Sequence, residues 1–263
     1  MPRVILILSV LLFSSTLSAQ DLRIAMEASY NIFTNSLKAK DATKFKSAVS
    51  NASYMKMKNA MTSSKSAFPE TFFESTEDYT LNFTTLQFLK AIENGATGNL
   101  IYYDNTEENV ILLKFTKEAG AWKFSELESY GTQEIANRMK KKDLSFLDEK
   151  KFKPNGIIAI VPQEIKSVDY IAMIDIAGEY KVSISLNGIE QESTNGGSKS
   201  GLLIGGVKKG KNTIVIKLTP LEGVKGSGLS ISVRSFIQEN PKEVFLLKSA
   251  TPSTTITKEF VAP

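Results

Sequence analysis

The chain has 263 residues, of which 42% are hydrophobic, and a formal net charge of +4. It contains no histidine and no cysteine, which excludes catalytic triads and dyads built on an imidazole or a thiol, most zinc and copper sites, and disulfides. An enzyme would have to use carboxylates, Lys, Tyr or Ser. A metal would have to be an oxygen-preferring ion such as calcium, and the sequence has no calcium-loop pattern, so we predict no cofactor.

Residues 1–20 have the pattern of a secretory signal peptide. Arg3 provides the positive end, an apolar run covers 4–13, and small residues follow as far as Ala19. The run is too short for a membrane helix, which needs about 20 residues. We therefore predict cleavage after Ala19 or Gln20, a periplasmic or secreted bacterial protein, and no membrane span after cleavage. A retained anchor is the alternative, and export argues against a nucleic-acid partner.

The first part of the mature chain is predicted to be helical. From Asp21 to about Lys38, apolar residues recur at spacings of three and four, which indicates an amphipathic helix with Asp21 as its cap. Asp41 is a plausible cap for a second short helix. A third helical or turn segment contains three methionines. The apolar face of the first helix comprises Leu22, Met26, Tyr30, Phe33 and Leu37; that of the second, Phe45, Ala48 and Val49; the methionines are Met55, Met57 and Met61.

The apolar period changes to two after residue 80, and turn signals separate the segments. The strand candidates are 81–86, 99–103, 110–115 and 121–129. Helices followed by an antiparallel sheet indicate an α+β fold.

Charged residues dominate the stretch from Thr132 to Asn155. We interpret it as a terminal helix that closes a first domain, 21–142, followed by a solvated linker, 143–156. A basic patch that binds an acidic surface is the alternative interpretation.

The second half, 157–263, reads as strands and turns and predicts an all-β sandwich domain. Asn187-Gly188 is a strong two-residue hairpin signal, and the Gly/Ser-rich stretch 193–201 is predicted to be a loop. The strand candidates are 181–186, 202–204, 213–218 and 229–233.

Residues 21–142 resemble the nuclear-transport-factor-like superfamily, or cystatin-like roll. The resemblance rests on the early helices, on Lys40-Asp41-Ala42 at the start of the second, and on Val110–Phe115 leading to Gly120–Phe124. It implies N-terminal helices packed on a curved antiparallel sheet that encloses a conical pocket. Enzymes of this superfamily commonly place Asp or His in that pocket, and many other members only bind ligands or partners.

The stretch from Val168 to Phe236 resembles accessory jelly-roll modules of the galactose-binding-like type. The matching segments are 182–188 and 207–216, which are turn and core positions. The resemblance implies a β-sandwich that binds sugar or packs beside another domain. It carries over no ligand-binding residue.

Acidic residues on the last predicted strand of the first domain are the candidate catalytic groups. If 122–130 is one strand, alternate residues share a face, which would put Glu126 and Glu128 near the mouth of a pocket. Paired carboxylates can act as general acid and base. Tyr102 and Asp104 on an earlier strand could face the same space. The shared face would contain Trp122, Phe124, Glu126, Glu128 and Tyr130.

Each of these residues also has a structural interpretation. The acidic residues could mark a strand end that emerges into solvent, since unpaired carboxylates are rarely buried. Trp122 could be an ordinary core residue.

We therefore predict an exported, non-enzymatic binding or interaction protein of the bacterial envelope. Its roll domain would bind a ligand or partner through Tyr102, Asp104, Glu126, Glu128 and Tyr130. Its sandwich domain would dock to an envelope protein or a glycan. One alternative is an enzyme that acts on a small molecule or glycan with Glu126 and Glu128 as acid and base. Another is a structural or assembly component without a ligand pocket.

Overall fold

The computed structural model describes residues 19–191, 193–221, 228–237, 240–249 and 254–263, without the side chains of 75–78 and 195. Helices come first and antiparallel strands follow, so the predicted α+β class with a β-rich C-terminal region is confirmed. Nearly all of the predicted signal peptide lies outside the described residues. Within the described part, none of the helices is both long enough and apolar enough to cross a bilayer.

Four α-helices, three 3₁₀ helices and eleven strands make up the regular structure of the described residues. The helices are α1 (Ala19–Lys38), α2 (Ala42–Ala48), α3 (Asn51–Ser63) and α4 (Gln133–Lys140). The strands are β1 (Gln87–Asn94), β2 (Thr97–Asp104), β3 (Asn109–Glu118), β4 (Ala121–Tyr130), β5 (Ala172–Leu186), β6 (Ile189–Glu190), β7 (Thr194–Leu202), β8 (Gly210–Pro220), β9 (Leu229–Ser235), β10 (Lys242–Ser249) and β11 (Thr255–Ala262).

Local sequence signals predicted the helices well. The whole predicted apolar face of α1 is buried. Asp41 caps α2, since its carboxylate accepts a hydrogen bond of 2.9 Å from the backbone N–H of Lys44. Asp21 is not a cap as predicted, because α1 begins at Ala19. Asp21 lies in the first turn, where its charge suits the helix dipole.

The chain divides into two compact units. The first contains the residues up to Ile32 together with Leu81–Ile158, and the second contains Phe33–Thr80 together with Ala159–Pro263. The predicted domains, 21–142 and 157–263, divide the chain at a different place. That these two segments fold independently stays a prediction.

The first unit is built on an antiparallel four-stranded sheet in the order β1-β2-β3-β4. Helix α1 covers one face. Met26 packs tightly on Gly98: a Cβ atom added to Gly98 would lie 2.0 Å from the methyl carbon of Met26. The ring centroids of Tyr30 and Phe124 lie 5.2 Å apart. An apolar cluster that includes α4 residue Ile135 covers the opposite face.

The predicted linker contributes to that second cluster. Phe146, Leu147 and Phe152 are all at most 3% exposed, on short 3₁₀ turns at Ser145–Asp148 and Lys150–Phe152. The interpretation of 143–156 as a solvated segment is therefore wrong for these three residues, whereas Leu144 is 40% exposed. The prediction relied on the many charged residues of the segment and overlooked these three large apolar side chains, which lie in a core.

The predicted strand over 81–86 is wrong. The side chain of Asn82 accepts hydrogen bonds from the backbone N–H and the hydroxyl of Thr84, at 3.1 and 2.7 Å, which makes a turn. The ladder begins later, at Gln87. A side chain that bonds to the backbone two residues ahead favours a turn over a strand, whatever the apolar alternation.

The second unit contains a seven-stranded antiparallel sheet centred on β5, in the order β10-β9-β5-β8-β11, with β6 and β7 also paired to β5. The predicted hairpin at Asn187-Gly188 is confirmed, with φ values of 50° and 82°. The predicted loop over 193–201 is instead most of β7, paired along β5. Its glycines and serines are typical of loops, so the sequence did not predict a strand. Hydrogen bonding to β5, and not the preference of its own side chains, stabilises β7 as a strand.

The outer surface of this sheet bears a bidentate ion pair. Asp175 on β5 accepts two hydrogen bonds from the Arg234 guanidinium, at 2.8 and 3.0 Å, and one of 2.5 Å from Ser200. Partial burial alone would raise the pKa of Asp175, but these hydrogen bonds outweigh it and hold the pKa below its ordinary value.

We expect an Asp175→Asn variant to be less stable than the wild type at pH 7, by at most about 1 kcal/mol, because the pair is largely exposed. A carboxyl group whose pKa is lower in the folded than in the unfolded state stabilises the fold above its unfolded pKa of about 3.9. That stabilisation is lost as the pH falls through the folded pKa. The urea midpoints of the wild type and of Asp175→Asn should therefore differ most at pH 7 and come closer together at pH 4 and pH 3. Asp148→Asn removes an exposed surface carboxylate as the matched control. A difference that stays constant down to pH 3 would contradict the assignment.

Candidate functional site

The structure divides the predicted site residues between the two faces of the first sheet. Tyr102 pairs with Ile111 on the face that α1 covers. Glu126, Glu128 and Tyr130 lie on the opposite face, paired across β3 with Lys114, Leu112 and Val110. The space that Tyr102 was predicted to share with the acidic residues therefore does not exist.

A β-bulge in β4 explains why the predicted shared face is wrong. Lys114 pairs with Glu126, but the next β3 residue, Phe115, pairs with Phe124, so Ser125 is an extra residue on β4. A bulge reverses the alternation of side chains along its strand. Trp122 and Phe124 therefore point towards α1 as core residues, while Glu126 and Glu128 point away.

On the α1 side, Tyr102 belongs to a small polar network under aromatic rings. Its buried hydroxyl donates to Glu27 Oε1, which also accepts a 2.7 Å hydrogen bond from Arg23 Nε. Burial, followed by the hydrogen bond to Glu27, raises the pKa of Tyr102. Phe83 stacks on Tyr102 with ring centroids 5.0 Å apart.

On the other face, Lys114 bridges the two predicted catalytic carboxylates. Its ammonium donates to Glu128 at 2.5 Å and to Glu126 at 3.0 Å, and the Tyr130 hydroxyl donates to the second oxygen of Glu128 at 2.6 Å. Burial alone would lower the pKa of Lys114, but the two carboxylates raise it. Burial and the hydrogen bond to Glu128 raise the pKa of Tyr130.

Asp104 belongs to neither group. Its carboxylate accepts hydrogen bonds from the backbone N–H groups of Thr106 and Glu107, at 2.8 and 3.3 Å, in the turn between β2 and β3. It therefore acts as a turn residue.

The chemistry available to the group around Lys114 is that of an ion-pair cluster. A general acid must hold a proton that it can release to a substrate. Both oxygens of Glu128 instead accept hydrogen bonds, and Glu126 pairs with the same ammonium. This arrangement favours cross-strand stabilisation over proton transfer.

Sequence reasoning missed the partners that define both groups. Arg23 and Glu27 have the spacing of four residues that pairs opposite charges on a helix, a signal that was present. Lys114 interrupts the apolar run from Val110 to Phe115, but only the register of β3 with β4 shows that it meets two glutamates.

Comparisons with family models, curated proteins and solved structures found no match to the chain.

Lys114→Met should lower the free energy of unfolding by about 1 kcal/mol, because it leaves two carboxylates adjacent on one face without their cation, in a partly solvated place. Adding Glu126→Gln and Glu128→Gln should restore part of that loss. Urea midpoints measure both effects. Lys90→Met, at an exposed lysine on β1, is the matched control. A triple variant no more stable than Lys114→Met would refute the ion-pair interpretation.

Proposed function

We propose that the chain is an exported, non-enzymatic binding or interaction protein of the bacterial envelope. Its first domain would be a cystatin-like roll that offers a partner-binding surface. Its second would be a β-sandwich that docks to an envelope protein or a glycan. The proposal includes cleavage of the signal peptide near Gln20 and a periplasmic or secreted mature protein.

The observation that carries this proposal is the filling of the first sheet's α1-covered face. Met26 and Tyr30 are at most 1% exposed there, and they pack against Gly98 and Phe124. A roll enzyme would hold its substrate on this side of the sheet. A face occupied by the protein's own core favours binding at the outer surface instead.

The sandwich assignment is supported by a single core shared across the strands of the second sheet. Buried residues from both ends of the strand order belong to one apolar cluster. Phe245 on β10 and Phe260 on β11, at opposite edges, have ring centroids 5.5 Å apart. Edge strands that meet in this way favour a sheet folded over on itself.

Export is tested by expressing the full chain with a C-terminal tag in a bacterial host, followed by fractionation and N-terminal sequencing. We expect the tag in the periplasm or medium, with a new N-terminus at Gln20 or Asp21. An uncleaved cytoplasmic product would overturn the proposal.

Binding is tested with the mature protein, immobilised and exposed to envelope extracts and to a glycan array. We expect saturable capture that survives in the Glu126→Gln, Glu128→Gln double variant. Failure to retain any protein or glycan would refute the binding function. Turnover of a retained molecule that the double variant abolishes would replace it with the enzymatic alternative.

A further inference from the structure

The central strand of the second sheet changes partners along its length. Residues from Ala172 to Ala177 of β5 pair with β9, and residues from Tyr180 onward pair with β8. Gly178 stands at the change, with a φ of +152° that favours glycine. The sheet divides at this point, because the strand on one side of β5 ends before the other begins.

An open cleft of about 530 Å³ lies where the sheet divides. Its lining includes Ala177, Gly178, Gly228, Ser230, Lys248 and Ser249. This volume is within the range of about 300–1,000 Å³ that is typical of small-molecule sites.

Three of the lining residues form one row across three strands. Ala177 pairs with Ser230, and Ser230 pairs with Lys248, so their side chains share a face. That face is opposite the core, because the neighbouring residues Ile176 and Ile231 are buried. The small side chains of Ala177 and Ser230 form a floor, and the longer Lys248 forms one wall.

The polar groups of the cleft are unused by the described protein. Lys248 is exposed and makes no ion pair with any described residue, and no other charged residue lines the cleft. Within the same described part, the hydroxyl of Ser230 has no hydrogen-bond partner. Ser249 pairs with the buried Leu229, so its side chain lies on the other face of the sheet and is not part of this row. An unpaired ammonium beside a free hydroxyl suits a ligand that carries one anionic group and a neighbouring hydroxyl.

We propose that this cleft binds an acidic sugar, a pyranose that carries a carboxylate. Lys248 pairs with the carboxylate, Ser230 bonds to a ring hydroxyl, and the Ala177 side of the floor receives the C–H face of the ring. The proposal rests on the docking function proposed above and names the chemistry that the second domain recognises.

The test is calorimetric titration of the mature full-length protein with digalacturonate, with its neutral counterpart digalactose, and with inorganic phosphate. We expect binding of digalacturonate only. Lys248→Met should weaken it at least tenfold, and Ser230→Leu, which fills the floor, should abolish it. Lys242→Met removes an exposed lysine from the other end of β10 and should leave binding unchanged.

Equal affinity for digalactose, or full binding by Lys248→Met, would overturn the proposal. Displacement of digalacturonate by phosphate at equal concentration would also overturn it, since the site would then recognise any anion. No binding of digalacturonate refutes the cleft proposal alone when envelope capture persists. Loss of envelope capture from the wild-type protein refutes the wider function as well.

Discussion

Deletion of Lys123 is expected to destabilise the first unit by about 3–5 kcal/mol, the range for losing a buried aromatic side chain from a core. Lys123 separates Trp122 from Phe124 on β4, and both rings are buried. Without it the two aromatic residues are adjacent, and adjacent residues of a strand point to opposite faces. One of the two rings would therefore leave the core on the α1 side.

The measurement is urea unfolding followed by fluorescence, since Trp122 is the only tryptophan and is 8% exposed in the native state. The variant without Lys123 should unfold at a clearly lower urea concentration than the wild type. Deletion of Ser125 is the matched control, because it also removes one residue from β4 but leaves Phe124 and Glu126 on their present faces. It loses the 2.9 Å hydrogen bond with the Thr116 hydroxyl, worth about 1 kcal/mol. If the two deletions cost the same stability, the assignment of Ser125 as the extra residue of the bulge would be wrong.

The same bulge marks the limit of what the sequence predicts about the candidate site. Alternation from Trp122 to Tyr130 is a correct signal for a strand, and β4 covers that stretch. Apolar Leu127 continues the α1-side face better than Glu126 or Glu128, but the residue pattern does not say where the extra residue lies. The pairing partner decides which set is inside. Site residues placed by alternation alone are therefore wrong on one side of any bulge.

Elements with a local cause were predicted, and elements that depend on a partner were not. The Asp41 cap and the Asn187-Gly188 hairpin follow from side-chain and backbone preferences of a few adjacent residues. Strand β7 has no such preference, and β10 and β11 gave no prediction, because their order comes from ladders with distant strands. The cleft at Gly178 belongs to the second kind, since it exists only where β5 exchanges one neighbour for another.

Phe45→Ala is expected to destabilise the second unit by about 3–5 kcal/mol, the range for removing a buried aromatic ring. Phe45 is fully buried on α2, a helix of seven residues that is too short to be stable by itself. Five aromatic rings surround it with centroids 5.4 to 6.1 Å away: Phe33, Tyr54, Phe68, Phe72 and Phe73. The cavity left by the ring therefore removes contacts from several segments at once.

Thermal and urea unfolding followed by circular dichroism measure this loss. Phe45→Leu keeps part of the volume and should lose clearly less stability than Phe45→Ala. Val261→Ala, at a side chain that is 74% exposed, should change stability by no more than about 0.5 kcal/mol. Equal effects of Phe45→Ala and Val261→Ala would show that the aromatic cluster does not hold α2. A large loss in Phe45→Ala with a smaller one in Phe45→Leu would instead show that α2 is held in place by the packing of one side chain.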